Sequence, residues 1–148
     1  MNGFFEYQYL SYKKKHMMNL IALARTDGDF HEKEMEILFK IGKRYRLKAK
    51  HINALLEVVE NDQEVVHGQH EQYMEQLYDL VEMVLADGVI AEEELEFCEK
   101  MIHSMGYNKD LLGYFIDFVQ LGLKDSESWI DFKEEAMNHK KTSCPVNA

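Results

Sequence analysis

The sequence predicts an all-α fold, and three observations support this prediction. Apolar residues recur at helical spacing through most of the chain, from Met17 to Met137. The single proline, Pro145, lies beyond that region, so no proline interrupts a helix before the C-terminal end. An Asp-Gly pair occurs between apolar runs at residues 27–28 and again at 87–88, where glycine can end a helix. We therefore expect helices joined by short turns.

Seven helices can be assigned in chain order. An aromatic segment begins the first helix, which becomes amphipathic from Met17 and ends at the first Asp-Gly pair. Polar residues around Gly68 predict a loop between the third and fourth helices. Asp125 and Ser126 offer an N-cap for the last helix. The predicted helices cover residues 17–27, 31–46, 49–60, 70–86, 92–105, 110–123 and 126–139.

The sequence contains an internal repeat. Residues 20–47 align with residues 80–107 without a gap, and apolar positions are matched in kind, as Phe30 is with Ile90. Such self-similarity indicates one supersecondary unit used twice. We therefore predict a single domain, residues 1–139, built from a duplicated three-helix unit about an approximate two-fold axis. Repeat 1 covers about residues 15–60, repeat 2 about 70–123, a closing helix about 126–139, and a flexible tail 140–148.

Composition narrows the function classes. At 148 residues the chain is long enough for a core without disulfides or metal, and its net charge of −10 argues against nucleic acid. Cys98 and Cys144 form no metal or redox spacing, which indicates a reducing compartment. No apolar run is long enough to span a membrane, and the N-terminus lacks the order of a signal peptide. We therefore predict a cytoplasmic protein without a transmembrane segment.

The two Asp-Gly corners, residues 27–34 and 87–94, could bind calcium if they were EF-hand loops. Glycine and the final glutamate fall at the positions that such a loop requires. Loop positions 1 and 3, which should carry ligands, however hold Leu23 and Arg25 in one copy and apolar residues in the other. A hard cation that needs six to eight oxygen ligands would lack two carboxylates there. The sequence therefore argues against an EF-hand.

A structural interpretation accounts for most of each corner. If His31 and Ala91 precede the helices, then Glu34 and Glu94 occupy the third helical position. A carboxylate there can reach back to a free backbone N–H and favours the positive end of the helix. The same register places an apolar pair around each helix start as a hydrophobic staple. The predicted staple pairs are Phe30 with Met35 and Ile90 with Leu95.

The structural interpretation leaves Asp27 and Asp87 unexplained, and acidic residues crowd both corners. So many carboxylates favour a counter-ion, which is either a divalent cation (Ca²⁺, Mg²⁺, Mn²⁺ or Zn²⁺) or a basic partner protein. A solvated acidic helix start remains the alternative. The sequence thus leaves both a structural and a binding role open for the corners.

The corner motif resembles that of the TerB-like family, which includes tellurite-resistance TerB proteins and the N-terminal domain of a membrane-anchored DnaJ-type co-chaperone. Residues 84–95, Val-Leu-Ala-Asp-Gly-Val-Ile-Ala-Glu-Glu-Glu-Leu, match the family pattern best, whereas in residues 24–35 Arg25 and Thr26 replace the small residues expected. The resemblance covers about residues 10–123. It implies an all-helical duplicated fold and association with stress-response or membrane-linked assemblies.

The resemblance also implies a set of metal-binding residues. Carried over position by position, the set is Asp27, Glu34, Asp87 and Glu94.

No catalytic motif accompanies these acids. The chain has no nucleophile elbow or phosphate loop, and His67 and His70 with their neighbours fit a solvated loop better than a zinc site. We therefore predict a non-enzymatic TerB-like module that binds a partner protein and no nucleic acid. The resemblance implies that this partner is membrane-associated. A small metal-dependent hydrolase or metal sensor that uses the same carboxylates is the alternative.

Overall fold

The structure, a computed structural model, describes residues 3–26, 28, 30–58 and 68–141, with side chains from Tyr12 onward. Within these ranges it contains seven α-helices, a 3₁₀ turn and no β-strand, which confirms the all-α fold class. None of the helices described is long and apolar enough to cross a membrane. The helices are α1 (Gly3–Ala24), α2 (Glu32–Arg44), α3 (Ala49–Leu56), α4 (His70–Val84), α5 (Glu92–Ser104), α6 (Leu111–Leu121) and α7 (Glu127–Ala136).

Helices α1 and α4 form the centre of the molecule. They pack against each other; α1 also contacts α2, α3 and α5, and α4 also contacts α2, α5 and α6. A helix surrounded on several sides must be apolar around most of its circumference, and α4 meets this requirement. The fully or nearly fully buried residues of α4 are Met74, Gln76, Leu77, Tyr78, Asp79, Leu80, Val81, Met83 and Val84.

The outer helices each bury one face against this centre. In α2, Leu38 and Ile41 are fully buried, and Gly42 allows α3 to approach closely, because a Cβ atom there would collide with Ile52. In α5 and α6 the buried face includes Phe97 and Phe115. Each of these helices therefore packs one apolar face against the centre.

An aromatic cluster attaches the closing helix α7 to α4 and α6. Trp129 of α7 is only 5% exposed, and its ring centroid lies 5.3 Å from that of Tyr78 and 5.6 Å from that of Phe118. Phe132, one turn later, lies 4.7 Å from Phe118 by the same measure. Aromatic rings bury large areas, so these contacts hold α7 in place.

The ends of the helices follow local backbone chemistry. The sequence predicts a third helix that continues to residue 60, but α3 ends at Leu56. Residues 59–60 lie outside the described part of the chain. The predicted sixth helix was two residues too long, because Gly122 adopts a left-handed φ of 68° that ends it. Ser126 caps α7 as predicted, since its Oγ accepts a hydrogen bond from the Ser128 amide at 3.2 Å.

The first two residues of the predicted flexible tail are held by backbone contacts. The amide of Lys141 donates to the carbonyl of Gly106 at 2.9 Å, and Lys140 forms a β-bridge with Tyr107. Residues 142–148, the rest of that tail, lie outside the described ranges.

A polar network lies in the centre, where α1, α2 and α4 meet. His16 and Asp79 are both fully buried, and His16 Nε2 donates to Asp79 Oδ2 at 2.8 Å. The guanidinium of Arg44 donates to the other carboxylate oxygen, and the Tyr45 hydroxyl approaches Oδ2 at 3.4 Å. A single carboxylate of α4 therefore ties α4 to both α1 and α2.

The network keeps Asp79 ionised. Burial alone would raise the pKa of Asp79, but the hydrogen bond and attraction of His16 and the positive charge of Arg44 outweigh it, so the pKa lies below its ordinary value. An ionised carboxylate only accepts hydrogen bonds, so His16 carries a hydrogen on Nε2. Burial and the charge of Asp79 together raise the pKa of Tyr45, which stays a neutral donor.

We expect Asp79→Asn to destabilise the protein by about 3 kcal/mol, because removal of one partner leaves the other buried groups uncompensated. The folded-state pKa of Asp79 is depressed, so the stability it contributes is present above the unfolded-state pKa of about 4 and is lost as the pH falls below it. The difference between wild type and Asp79→Asn in urea unfolding should therefore be smaller at pH 3 than at pH 7.

Asp131→Asn is the matched control, because Asp131 is exposed on α7. It should change the free energy of unfolding by less than about 0.5 kcal/mol. Equal effects of the two substitutions would contradict a stabilising role for the network.

Candidate functional site

The first Asp-Gly corner joins α1 to α2. Gly28 has a φ of 82° and Gly88, its counterpart between α4 and α5, a φ of 80°, both in the left-handed region. A Cβ atom at either glycine would have no atom within 4 Å, so conformation rather than space requires glycine here. Asp27 and Asp29 lie outside the described residues.

Glu34 and Glu94 point into their own helix starts. Each is only 2% exposed, and its Oε1 accepts the backbone N–H of the preceding N-cap residue: His31 at 2.9 Å in the first corner and Ala91 at 3.3 Å in the second. The prediction that His31 and Ala91 precede the helices is therefore confirmed. These carboxylates satisfy backbone donors that the helix leaves free, so the glutamates have a structural use in both corners.

The apolar residues of the two corners differ. Phe30 packs partly buried against the core, as do Met35 and Leu95. Ile90, however, is 42% exposed, and its neighbour Val89 is 67% exposed. The predicted staple residues are therefore packed in the first corner, whereas the second corner presents apolar surface to solvent.

Asp87 links the two corners. Its Oδ1 accepts a hydrogen bond from the amide of Val89 at 3.0 Å, which stabilises the turn, and its Oδ2 lies 3.3 Å from Nε2 of His31. His31 is the N-cap of α2. The turn before α5 therefore lies beside the start of α2. The corners, 60 residues apart in sequence, are neighbours in space.

Three of the four predicted metal ligands have contacts within the described part of the chain, and the fourth lies outside it. Glu34 and Glu94 are engaged at helix starts, Asp87 is engaged with Val89 and His31, and Asp27 lies outside the described part of the chain. Among the residues that the structure describes, no group of three or more His, Cys, Asp or Glu side chains is placed to hold a metal ion. A cation site at the corners stays a prediction.

Arg25, which departs from the TerB-like pattern that the sequence resembles, forms hydrogen bonds with backbone atoms. Its guanidinium donates to the backbone carbonyl of Leu56 and, at 3.1 Å, to that of Val58. The neighbouring Thr26 donates its hydroxyl to the carbonyl of Leu23 at 2.8 Å. Arg25 thus binds the end of α3 to the first corner. The sequence does not predict this contact, because the partners of the side chain are backbone atoms.

His70, predicted to lie in a solvated loop, is part of the packing at the start of α4. Its Nε2 donates to the carbonyl of Lys133 at 2.7 Å, which leaves Nδ1 to accept from the Tyr107 hydroxyl at 2.6 Å. Burial raises the pKa of Tyr107 to about 12, so the phenol remains a donor. Both ring nitrogens are engaged, and His67 lies outside the described ranges.

A groove of about 930 Å³ runs beside the second corner. Helices α2, α4 and α6 line it, as do Gly88 and Ile90 of the second corner. Two lysines that line the groove form ion pairs with carboxylates of α4. Lys40 Nζ lies 3.0 Å from Glu82, and Lys124 Nζ lies 2.8 Å from Glu75. The exposed apolar corner and this groove form one continuous surface, and it is the strongest candidate site.

No protein-family model, curated protein or solved structure matches this chain. The candidate site is therefore argued from the geometry and chemistry of the chain itself.

We expect Glu94→Ala to cost about 1 kcal/mol of folding free energy, because the Ala91 amide loses its acceptor and the helix start loses a favourable charge. Glu93→Ala is a close control, since Glu93 is exposed in the same first turn. Unfolding of wild type and both variants should be measured with and without EDTA. If Glu94→Ala lowers stability only in the absence of EDTA, Glu94 is a metal ligand rather than a cap.

The cation prediction is tested by titration with Ca²⁺, Mg²⁺, Mn²⁺ and Zn²⁺. A cation held at the corners would give heat and a rise in melting temperature in wild type, both lost in Asp87→Ala, because ligand binding to the native state stabilises it. No heat and no thermal shift with any of the four ions would exclude the site.

Proposed function

We propose that the chain is a non-enzymatic, TerB-like helical module that binds a partner protein through its second Asp-Gly corner. One observation carries the proposal: Val89 and Ile90, 67% and 42% exposed, form adjacent apolar surface in the turn before α5. Contiguous exposed apolar surface favours a protein contact. Glu92 and Glu93, both exposed, lie two and three positions after Ile90 and favour a partner with basic groups.

The contact pattern of the helices supports the duplicated unit within this proposal. If α1, α2 and α3 correspond to α4, α5 and α6, every principal contact among them has a counterpart. The α1–α2, α1–α3, α2–α3 and α1–α5 contacts correspond to α4–α5, α4–α6, α5–α6 and α4–α2, and α1–α4 corresponds to itself. A two-fold arrangement of two identical units would produce this pattern, and it would bring the corners together, consistent with the His31–Asp87 approach.

The chemistry of the described side chains supports a binding role rather than catalysis. Cys98 is fully buried, and burial raises the pKa of its thiol, which makes it a poor nucleophile. His16 and His70 are committed to internal hydrogen bonds. The TerB resemblance extends the proposal to a cytoplasmic, stress-associated assembly of the tellurite-resistance type, with a divalent cation as a possible further ligand.

A photo-reactive amino acid at position 89 tests the partner contact in the cell that produces the chain. We expect it to form a discrete adduct with one protein, because Val89 is exposed at the tip of the corner. The same probe at position 130 is the matched control, since Ile130 is an apolar residue 54% exposed on a different element, α7.

The discriminating result is the difference between the two probe positions. An adduct at position 89 alone supports the corner as the contact. The same set of adducts at both positions, or none at position 89, would contradict the proposal.

A further inference from the structure

We propose that the groove between α2, α4 and the C-terminal end of α6 binds an amphipathic helix of the partner, with an apolar face inward and a basic flank. This inference rests on the proposed function, because Ile90 of the second corner lines the groove. It adds the chemistry of the partner segment and the surface that recognises it.

Two helices contribute a regular stripe of residues to the groove. Helix α4 contacts both α2 and α6, and all three helices line the groove. The residues that α2 and α4 contribute follow the same i, i+3, i+7 spacing, which marks one stripe along each helix. These residues are Ile37, Lys40 and Arg44 of α2, and Glu75, Tyr78 and Glu82 of α4.

The apolar residues of the groove provide contacts for the inward face of such a helix. Ile37, Leu85 and Val119 are partly buried and Ile90 is exposed, so each retains surface that a partner can cover. An amphipathic helix buries its apolar side chains into a groove of this kind at i, i+3, i+4 and i+7 positions. A cavity of about 930 Å³ accommodates several such side chains.

The groove is lined by three cations and three carboxylates. Each cation already faces a carboxylate: Lys40 faces Glu82, Lys124 faces Glu75 and Arg44 faces the buried Asp79. Asp125 lines the groove, and no ion pair to it occurs among the described residues.

The corner adds further negative charge. Glu92 and Glu93 are exposed two and three positions beyond Ile90, and the whole chain carries a net charge of −10. A lysine- or arginine-rich flank on the incoming helix would complement these acids.

Fluorescence anisotropy with labelled designed peptides tests the inference on the full chain. The probe is a peptide of about 15 residues with leucine at i, i+3, i+4 and i+7 and lysine on the opposite face. The first control peptide replaces lysine by glutamate, and the second scrambles the leucine–lysine sequence. We expect saturable binding of the basic amphipathic peptide alone, weakened by added salt.

Two exposed substitutions test the location without risk to the fold. Ile90→Asp should weaken binding at least about tenfold, because it places a charge at an apolar contact. Asp125→Lys should weaken it about fivefold, as the reversal of one exposed charge. Ile130→Asp, on α7, should leave the affinity unchanged.

Several outcomes would overturn the inference. Equal binding of the acidic or scrambled peptide would show no preference for a basic amphipathic helix, and unchanged affinity in both groove variants would place the peptide elsewhere. Self-association of the chain that Ile90→Asp abolishes would make the groove an interface between two copies. If no peptide binds but the probe at position 89 captures a partner, this inference fails and the proposed function stands.

Discussion

The packing of α1 against α4 around the buried His16–Asp79 contact is the constraint on which the rest of the structure depends. A charged carboxylate in the centre of a helical bundle is costly unless its partners surround it. The position of Asp79 therefore requires α1 to supply His16 and α2 to supply Arg44 and Tyr45. Apolar burial stabilises the bundle but is non-directional, so it does not specify the orientation of each helix. The hydrogen bonds of this network specify which helix faces meet.

The two corners show how one motif can serve different purposes. In the first corner, Phe30 is packed and Arg25 holds the end of α3. In the second, Leu85 stands at the position equivalent to Arg25 and lines the groove, and Ile90 is exposed. The left-handed glycine and the capping glutamate are common to both corners, whereas the apolar surface beside them differs. The proposed docking surface is the corner that lacks the arginine contact.

Much of the fold could be predicted from sequence because helices leave local signals. Apolar spacing located the helices, and the register around Glu34 and Glu94 predicted both helix starts, since capping involves residues only three positions apart. The helix ends at Leu56 and Leu121 were predicted less well, because polar and apolar residues continue at helical spacing beyond them.

The polar network and the groove could not be predicted in the same way. His16 and Asp79 are 63 positions apart, and their contact depends on the packing of two helices. The local sequence does not single out Asp79, because α4 also contains Glu71, Glu75 and Glu82. The groove depends on α2 and α6 lying on either side of α4, so its residues come from four parts of the chain. The exposure of Ile90 likewise follows from tertiary packing, since the same position in the first corner is partly buried.

A double-mutant cycle on His16 and Asp79 tests the central constraint most directly. The free energies of unfolding of wild type, His16→Gln, Asp79→Asn and the double variant give the coupling between the two side chains. If this contact holds α1 against α4, the coupling energy should exceed about 1 kcal/mol, within the range measured for residues in one network. Additive effects, with a coupling near zero, would show that the two helices are held together without it.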